Sequence, residues 1–358
     1  WNIRSKEDWV RRYDHEVQAA TLVKPFVGVD AKGPGDAAVI WLAPHGGEEK
    51  AGVTVSCGLQ PKLSRFDAYL SAQHALDEAV RNAVATGADP DQICLVDNFC
   101  WPDPLPGDRN PDAAHKLAQL VRANQGLYDL AKAYGAPFVS GKDSMKNDFI
   151  GRGRLGKEVK ISVPPTVLVT AMGKVPDVSR TVTSDFQKEG DAVYLLGRSR
   201  RGLGGSELAD AFDLPSSVLR EPVPVEALEN LRLYRTLHRA IQGGLVRSCH
   251  DCSEGGMLVA LAESAIGGMI GCEVELERLG RELKSFGGNL AEFFFNESPG
   301  RFVVSIPKEH EEEFHKLFAG QHCLRLGEVQ RDILRFARHG LVVLDVPVRE
   351  ARRAWRGE

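Results

Sequence analysis

The chain has 358 residues, 43% hydrophobic and 26% charged, with a formal net charge of −4. This is the composition of a globular protein long enough for two domains, with no electrostatic reason to expect a nucleic-acid partner and no run of 18 apolar residues to span a membrane. Seven scattered cysteines in apolar settings read as reduced thiols of a cytoplasmic protein, and a start at Trp1 is expected of a piece of a longer chain.

Strand-like and helix-like segments alternate from the start, which predicts an α/β or α+β class. "AAVIWLA" (37–43) and "AGVTVSCG" (51–58) are β-rich runs around a Gly-rich turn. "FDAYLSAQHALDEAVRNAVATG" (66–87) predicts a helix: Ala72, Ala75, Leu76, Ala79, Val80 and Ala83 recur at spacings of three and four, and Gly87 is a plausible cap. Opposite that face, Asp67, Ser71, His74, Glu78 and Asn82 form a polar stripe. Rows of oxygen ligands suit Mg²⁺ carrying nucleotide phosphates. The plainer alternative, which prevails from this helix alone, is a solvated face helped by an Asp77/Arg81 pair.

"QICLVDNF" reads as a buried strand, residues 112–134 as a second amphipathic helix, and "APFVSG" and "PTVLVTAMG" as strands. "FVSGKDSMKND" (138–148) has the strand, Gly-Lys and nearby hydroxyl of a phosphate loop. Yet Asp143 follows Lys142 where a P-loop needs Ser or Thr, and no Gly stands five residues before Gly141. The polar stretch 173–189 predicts a boundary, with domains over 1–175 and 176–358.

In the second part, "RRGLGGSELA" (200–209) follows the strand "AVYLLG" and opens a helix near 205–213. Its turn at Gly204, Gly205 and Ser206 offers N–H groups to a phosphate, or is simply a tight β-to-α turn. A helix is expected over 225–243 and another after "HDCSEGGM" (250–257), where Ser253 would cap and Asp251 is placed to hold a metal. Cys249 and Cys252 could suggest a metal site, but no second Cys/His pair stands at zinc-site spacing. "FFFNESPGRF" (293–302) reads either as a strand-turn-strand or as a polar binding insert, "FVVSIP" and "LRLGEV" as strands, and the basic tail "VREARRAWRGE" as a solvated end.

In this order, "GPGDAAVI", the helix "FDAYLSAQHALDEAVRNAVATGADP", "PFVSGKDSMKND", "GLGGSELA", "HDCSEGGMLVALAESA" and "FNESPGRF" resemble the aminoimidazole-ribonucleotide-synthetase superfamily of ATP-binding enzymes over residues 25–345. Within it, "GKDSM" and "DEAVRNAVATGA" most resemble the formylglycinamide-ribonucleotide amidotransferases of purine synthesis, and only the second half of their duplicated synthetase region. The resemblance implies ATP-dependent amidation of formylglycinamide ribonucleotide in the intact enzyme, with ammonia from a glutaminase domain. It implies Mg²⁺ ligands at Asp67, Glu78, Asn82 and Asp251, with Asp36, Lys142 and Asp143 at further motif positions; Ser144 and the 204–206 turn are expected near phosphates. It further implies that the site in this half holds ADP or ATP structurally rather than turning it over. An N-terminal sheet closing a barrel across an interface is implied too, hence a homodimer when the first half is missing. The alternatives are a small-molecule ATP-dependent kinase or synthetase of the same superfamily, such as thiamine-monophosphate kinase, and an assembly module without nucleotide.

Overall fold

Two sheets and two layers of helices stack alternately in the computed structural model, which describes residues 2–13, 15–16, 18–215 and 222–358. The first sheet orders its strands β1 (Thr21–Val23), β4 (Ala38–Trp41), β5 (Gly52–Leu59), β10 (Thr166–Val175), β6 (Ile93–Cys100) and β7 (Phe138–Ser144), with only β6 and β7 parallel. Two small pairs, β2 (Phe26–Val27) with β3 (Gly33–Pro34) and β8 (Asp148–Arg152) with β9 (Glu158–Ser162), complete this half. The second sheet runs β12 (Ser248–Asp251), β14 (Phe302–Ile306), β11 (Ala192–Leu196), β15 (Cys323–Gln330), β13 (Gly271–Glu275), β16 (Ile333–Arg338) and β17 (Leu341–Pro347), parallel only between β13 and β16.

Helices α2 (Ala68–Ala85), α3 (Ala113–Tyr134), α5 (Ala227–Gln242) and α9 (Glu311–Leu317) contribute to the core between the sheets. Helices α6 (Gly256–Gly268), α7 (Gly280–Ser285), α8 (Leu290–Phe295) and α10 (Val348–Arg356) cover the far face of the second sheet, while α1 (Glu7–Val10) and α4 (Glu207–Ala211) are short. The central strand β11 explains this stacking. Ala192, Tyr194 and Leu196 point into the core shared with α2 and α3, and Val193 and Leu195 into the core under α6. A strand covered on both faces has no polar side, which is why "AVYLL" is apolar throughout.

Helix α2 is the element in the middle. Its alanines face the first sheet, and its polar stripe is not solvated, because the second half of the chain lies against it: Ser71, His74, Asp77, Glu78, Arg81 and Asn82 are all buried. Small residues permit that depth. A Cβ on Gly58 would collide with the Ala75 carbonyl and lie 2.6 Å from the Ala79 nitrogen, and one on Gly126 would meet the Tyr69 carbonyl.

Two expectations change. "FFF" ends a helix, α8, rather than a strand, because Asn289 caps it by accepting from the Glu292 N–H and its rings pack edge-to-face in the chain Phe286, Phe293, Phe294, Phe336. The basic tail is helix α10, anchored by buried Val348 and Trp355. The first sheet is open, with β1 and β7 as edges, and its outer face carries Val53, Val55, Leu59, Leu168 and Met172. Strand β17 is the other conspicuous edge, with Leu341, Val342, Val343 and Leu344 all exposed. Among the described residues no helix is long and apolar enough to cross a membrane.

The close approach of α2 to β5 sets a test. Gly58→Ala is expected to destabilise by about 1–3 kcal/mol in urea titration through forced separation of helix and strand. Gly280→Ala, where a Cβ meets nothing, is expected to be neutral or slightly stabilising. Equal effects would refute the packing account.

Candidate functional site

Four chain segments meet at a cavity of about 150 Å³ between the two halves, lined by Asp36, Glu78, Asn82, His250, Asp251 and Glu254 among others. Asp36 arrives on the turn after β3, Glu78 and Asn82 on successive turns of α2, His250 and Asp251 at the end of β12, and Glu254 on the turn into α6. The ligand atoms of Asp36, His250 and Asp251 all lie within 4.8 Å of one another.

Hydrogen bonds orient each group. Glu78 Oε2 accepts from the Leu59 N–H at 3.0 Å. Asn82 Nδ2 donates to the Cys57 carbonyl at 3.1 Å, which turns its oxygen the other way. Asp251 Oδ2 accepts from Arg81 Nη2 at 3.0 Å and from Ser253 Oγ. The ring nitrogens of His250 lie 2.6 Å from Asp36 Oδ1 and 3.1 Å from Glu263 Oε2. Among the groups lining the cavity, two buried oxygens have no hydrogen-bond partner, Asp36 Oδ2 and Asn82 Oδ1. Buried oxygens without donors need a compensating charge, and carboxylate and amide oxygens are the donor set of Mg²⁺. The residues therefore fit a divalent cation.

Electrostatics agree. Burial, partly offset by His250, raises the Asp36 carboxyl to about 6. Burial raises Glu254 to about 7, and burial with the Glu254 charge holds Glu78 well above the carboxylate range. Burial opposes a charge on His250, but Asp36 and Glu263 on either side outweigh it and raise the imidazole well above its ordinary value. A cation entering here displaces protons from the carboxyls.

The other expected residues lie elsewhere. Asp67 caps the start of α2, accepting from the Tyr69 N–H and pairing with Arg122. Eleven residues of helix separate it from Glu78, about 16 Å of rise, so it does not reach the cavity, and Asp36 supplies the carboxylate there. Lys142, Asp143 and Ser144 sit on the edge strand β7, where Lys142 Nζ donates to Ser144 Oγ at 2.7 Å; they do not line the cavity. The turn at Gly204, Gly205 and Ser206 does open a helix, but the Ser206 N–H donates to the Leu203 carbonyl and the groups that follow find partners within the chain. Ser206 Oγ accepts from the Ala209 N–H, and Glu297 Oε1 accepts from Glu207 N and Gly255 N at 2.8 Å each. A carboxylate of the chain itself thus stands against this turn.

Ser253 does not cap α6; Gly255 does, with φ at 79°, and Ser253 turns to Asp251 instead. In "NESPGRF", fully buried Arg301 donates to the carbonyls of Ser298 and Asn296 and to Ser199 Oγ, so most of that polar insert ties a turn together. Glu263 and Arg81 were not anticipated as site residues. The one signal for Glu263 is a lone acid in the apolar run of α6.

Residues 34–175 match the AIR synthase related protein, N-terminal domain, and residues 188–335 the corresponding C-terminal domain. Phosphoribosylformylglycinamidine synthase subunit PurL of Anaeromyxobacter dehalogenans (strain 2CP-C) is 35% identical over 99% of this chain, and the subunit of that name from Thermoplasma volcanium is 29% identical over 99%. The chain spans 43% of the length of each of these relatives. Among solved structures, T. maritima PurL complexed with FGAR superposes with a TM-score of 0.68 at 18% identity, over 91% of this chain and 49% of that one. A chain of a HypE–HypF complex gives 0.56 at 15% identity, over 87% and 92%. At such identities the structural likeness concerns the fold.

Glu297 provides a pH test. Burial pushes its carboxyl to about 8 from an ordinary 4.5, against the opposing effect of the two N–H groups that donate to it. The folded chain therefore holds this proton more tightly than the unfolded chain, a contribution complete below about pH 4.5 and lost as pH rises through 8. Glu297→Gln keeps the acceptor and removes the proton. Urea titrations are expected to show the wild type losing up to about 1.4 kcal/mol per pH unit relative to the variant between those limits. Parallel pH profiles would contradict this.

Proposed function

The chain belongs to the AIR synthase related family, and from that membership we propose that it is part of an enzyme converting formylglycinamide ribonucleotide to formylglycinamidine ribonucleotide at the expense of ATP. In that reaction the amide oxygen takes the γ-phosphoryl group, ammonia from a glutaminase partner adds to the amide carbon, and phosphate leaves with the oxygen. Because the chain spans less than half of its relatives, this activity is that of the larger assembly.

The contribution proposed for this chain is narrower: a Mg-nucleotide site, with ADP or ATP held structurally. The observation that carries it is the pair of buried, donor-less oxygens, Asp36 Oδ2 and Asn82 Oδ1, facing the same cavity as Glu78 and Asp251. Bound there, Mg²⁺ would neutralise phosphate charge. Asp36, Glu78, Asn82 and Asp251 would hold it, while His250 would keep Asp36 oriented. A space of about 150 Å³, roughly five water volumes, accommodates cations and a phosphate, so the rest of a nucleotide would extend outward past Asn2 and Ile3 at the cavity wall.

We take residues 1–175 and 176–358 as the two domains. The apolar outer face of the first sheet, with Val55 and Leu59 each 37% exposed, would be covered by a like sheet and close a barrel across the interface. The sheet proposed to cover it here is that of a second copy of this chain. Lys142, Asp143 and Ser144, on the edge of the same sheet, would then act toward phosphates bound across the interface.

Denaturing the purified chain and chromatographing the supernatant is expected to release ADP or ATP. In nucleotide-free protein, Mg-ADP at 100 times its Kd is expected to stabilise by about 2.7 kcal/mol, and Glu78→Gln or Asn82→Ala to abolish that gain. No release and no stabilisation of the wild type would favour the assembly-module reading. Val55→Asp is expected to shift the mass in analytical ultracentrifugation from dimer to monomer; an unchanged mass would dismiss the sheet-to-sheet contact.

A further inference from the structure

Helix α2 brings a second, wholly buried cluster alongside the cation ligands. Asp77 is 0% exposed and receives four side-chain donors. Arg81 Nη1 reaches its Oδ2 at 2.5 Å, and Tyr234 OH at 2.6 Å, Asn230 Nδ2 at 3.1 Å and Tyr134 OH converge on Oδ1. These donors come from α2, α3 and α5, so the carboxylate sits where three helices cross. Arg81 spends its remaining donors in one direction: Nε and Nη2 lie 3.2 and 3.0 Å from Asp251 Oδ2, and Nη2 lies 2.9 Å from Ser253 Oγ. Ser253 Oγ donates to the same Oδ2.

The effect on Asp251 is asymmetric. Its Oδ2 is saturated by three donors, while Oδ1 lies 3.8 Å from His250 Nδ1, on the side of Asp36. A carboxylate fixed in this way has one oxygen to give. Stability does not account for the arrangement, since buried ion pairs replaced by apolar residues of equal volume are often neutral or stabilising. Directional control does, because a planar guanidinium held at one edge by Asp77 presents its other edge at a fixed angle.

We propose that Arg81, locked by Asp77, is a positioning residue that presents Asp251 Oδ1 to the cation and thereby couples cation affinity to the docking of α5 against α2 and α3. The inference rests on the cation site proposed above and goes beyond it, since neither Arg81 nor Asp77 touches the cavity ligand itself.

The test uses Mn²⁺ as probe, with free ion counted by electron paramagnetic resonance and Tm measured with and without it. Wild type is expected to bind Mn²⁺. Arg81→Lys, which keeps the charge and loses the fork, is expected to weaken that binding 10- to 100-fold, the usual range for outer-shell partners of a metal site. Ser253→Ala is expected to weaken it several-fold with Tm unchanged in the absence of Mn²⁺. A purely structural role would lower Tm equally with and without Mn²⁺ and leave the dissociation constant of the folded protein within twofold; that result overturns the inference. Should Arg81→Lys fail to fold, Ser253→Ala and the near-isosteric Tyr234→Phe decide, and unchanged affinity in both overturns it. A wild type that takes up no Mn²⁺ overturns the cation site and this inference together, whereas wild-type binding with indifferent variants overturns this inference alone.

Discussion

Helix α2 is buried on every side, and from that constraint most of the molecule follows. An isolated sheet with two helices would leave one flank of α2 in water, and polar residues there would need no partners. Placing the second sheet against that flank forces each of them to find one: His74 contacts the Val223 carbonyl, Ser71 donates to the Gln60 carbonyl, and Asp77 and Arg81 satisfy each other. Glu78 and Asn82 are the two whose oxygens remain directed at a cavity rather than at a protein donor alone. Packing thus separates cavity-facing groups from structural polar groups on the same stripe, and the small residues at Gly58 and Gly126 make the packing possible.

The elements legible in the sequence were those with a sustained period. The 3.6-residue pattern of α2 and α3 and the apolar runs of β5, β6, β10 and β11 stand in the structure within a few residues of expectation. Strand β13 and the β8–β9 hairpin are too short or too polar to announce themselves, whereas β17, "LVVLDVP", carries an apolar β-branched run as clear as those of the first sheet. The Phe run of α8 was ambiguous because three aromatic residues suit a strand or a helix equally, and Asn289 as a cap decides it. Glu78, Asn82 and Asp251 were legible in motif context as residues that share a site, and they line one cavity. Asp67 illustrates the limit: sequence spacing places it on the correct face of the helix, yet helical rise carries it three turns away. Asp36 and Asp251 are 215 residues apart, and nothing local in either segment reveals that they meet. The partners of Arg81 were hidden for a related reason, since an i,i+4 acid–base pair looks the same whether solvated or buried.

Charge placement in the second half follows a similar logic. The glycine turn before α4 and Gly255 at the cap of α6 leave N–H groups in need of an acceptor, and Glu297 Oε1 serves both at once. Arg301 plays the converse part, fully buried yet surrounded by carbonyl and hydroxyl oxygens rather than by a carboxylate partner. The polar segment between α8 and β14 therefore serves as an internal brace that fixes where β12 ends, and hence where His250 and Asp251 project.

The ligand cavity draws on residues 36, 78–82 and 251–254, segments that neither half possesses alone. Contacts so distant in sequence close late and slowly during folding, after loop entropy has been overcome. Once closed, the ion proposed for that cavity would cross-link the halves, so that binding it would stabilise both together.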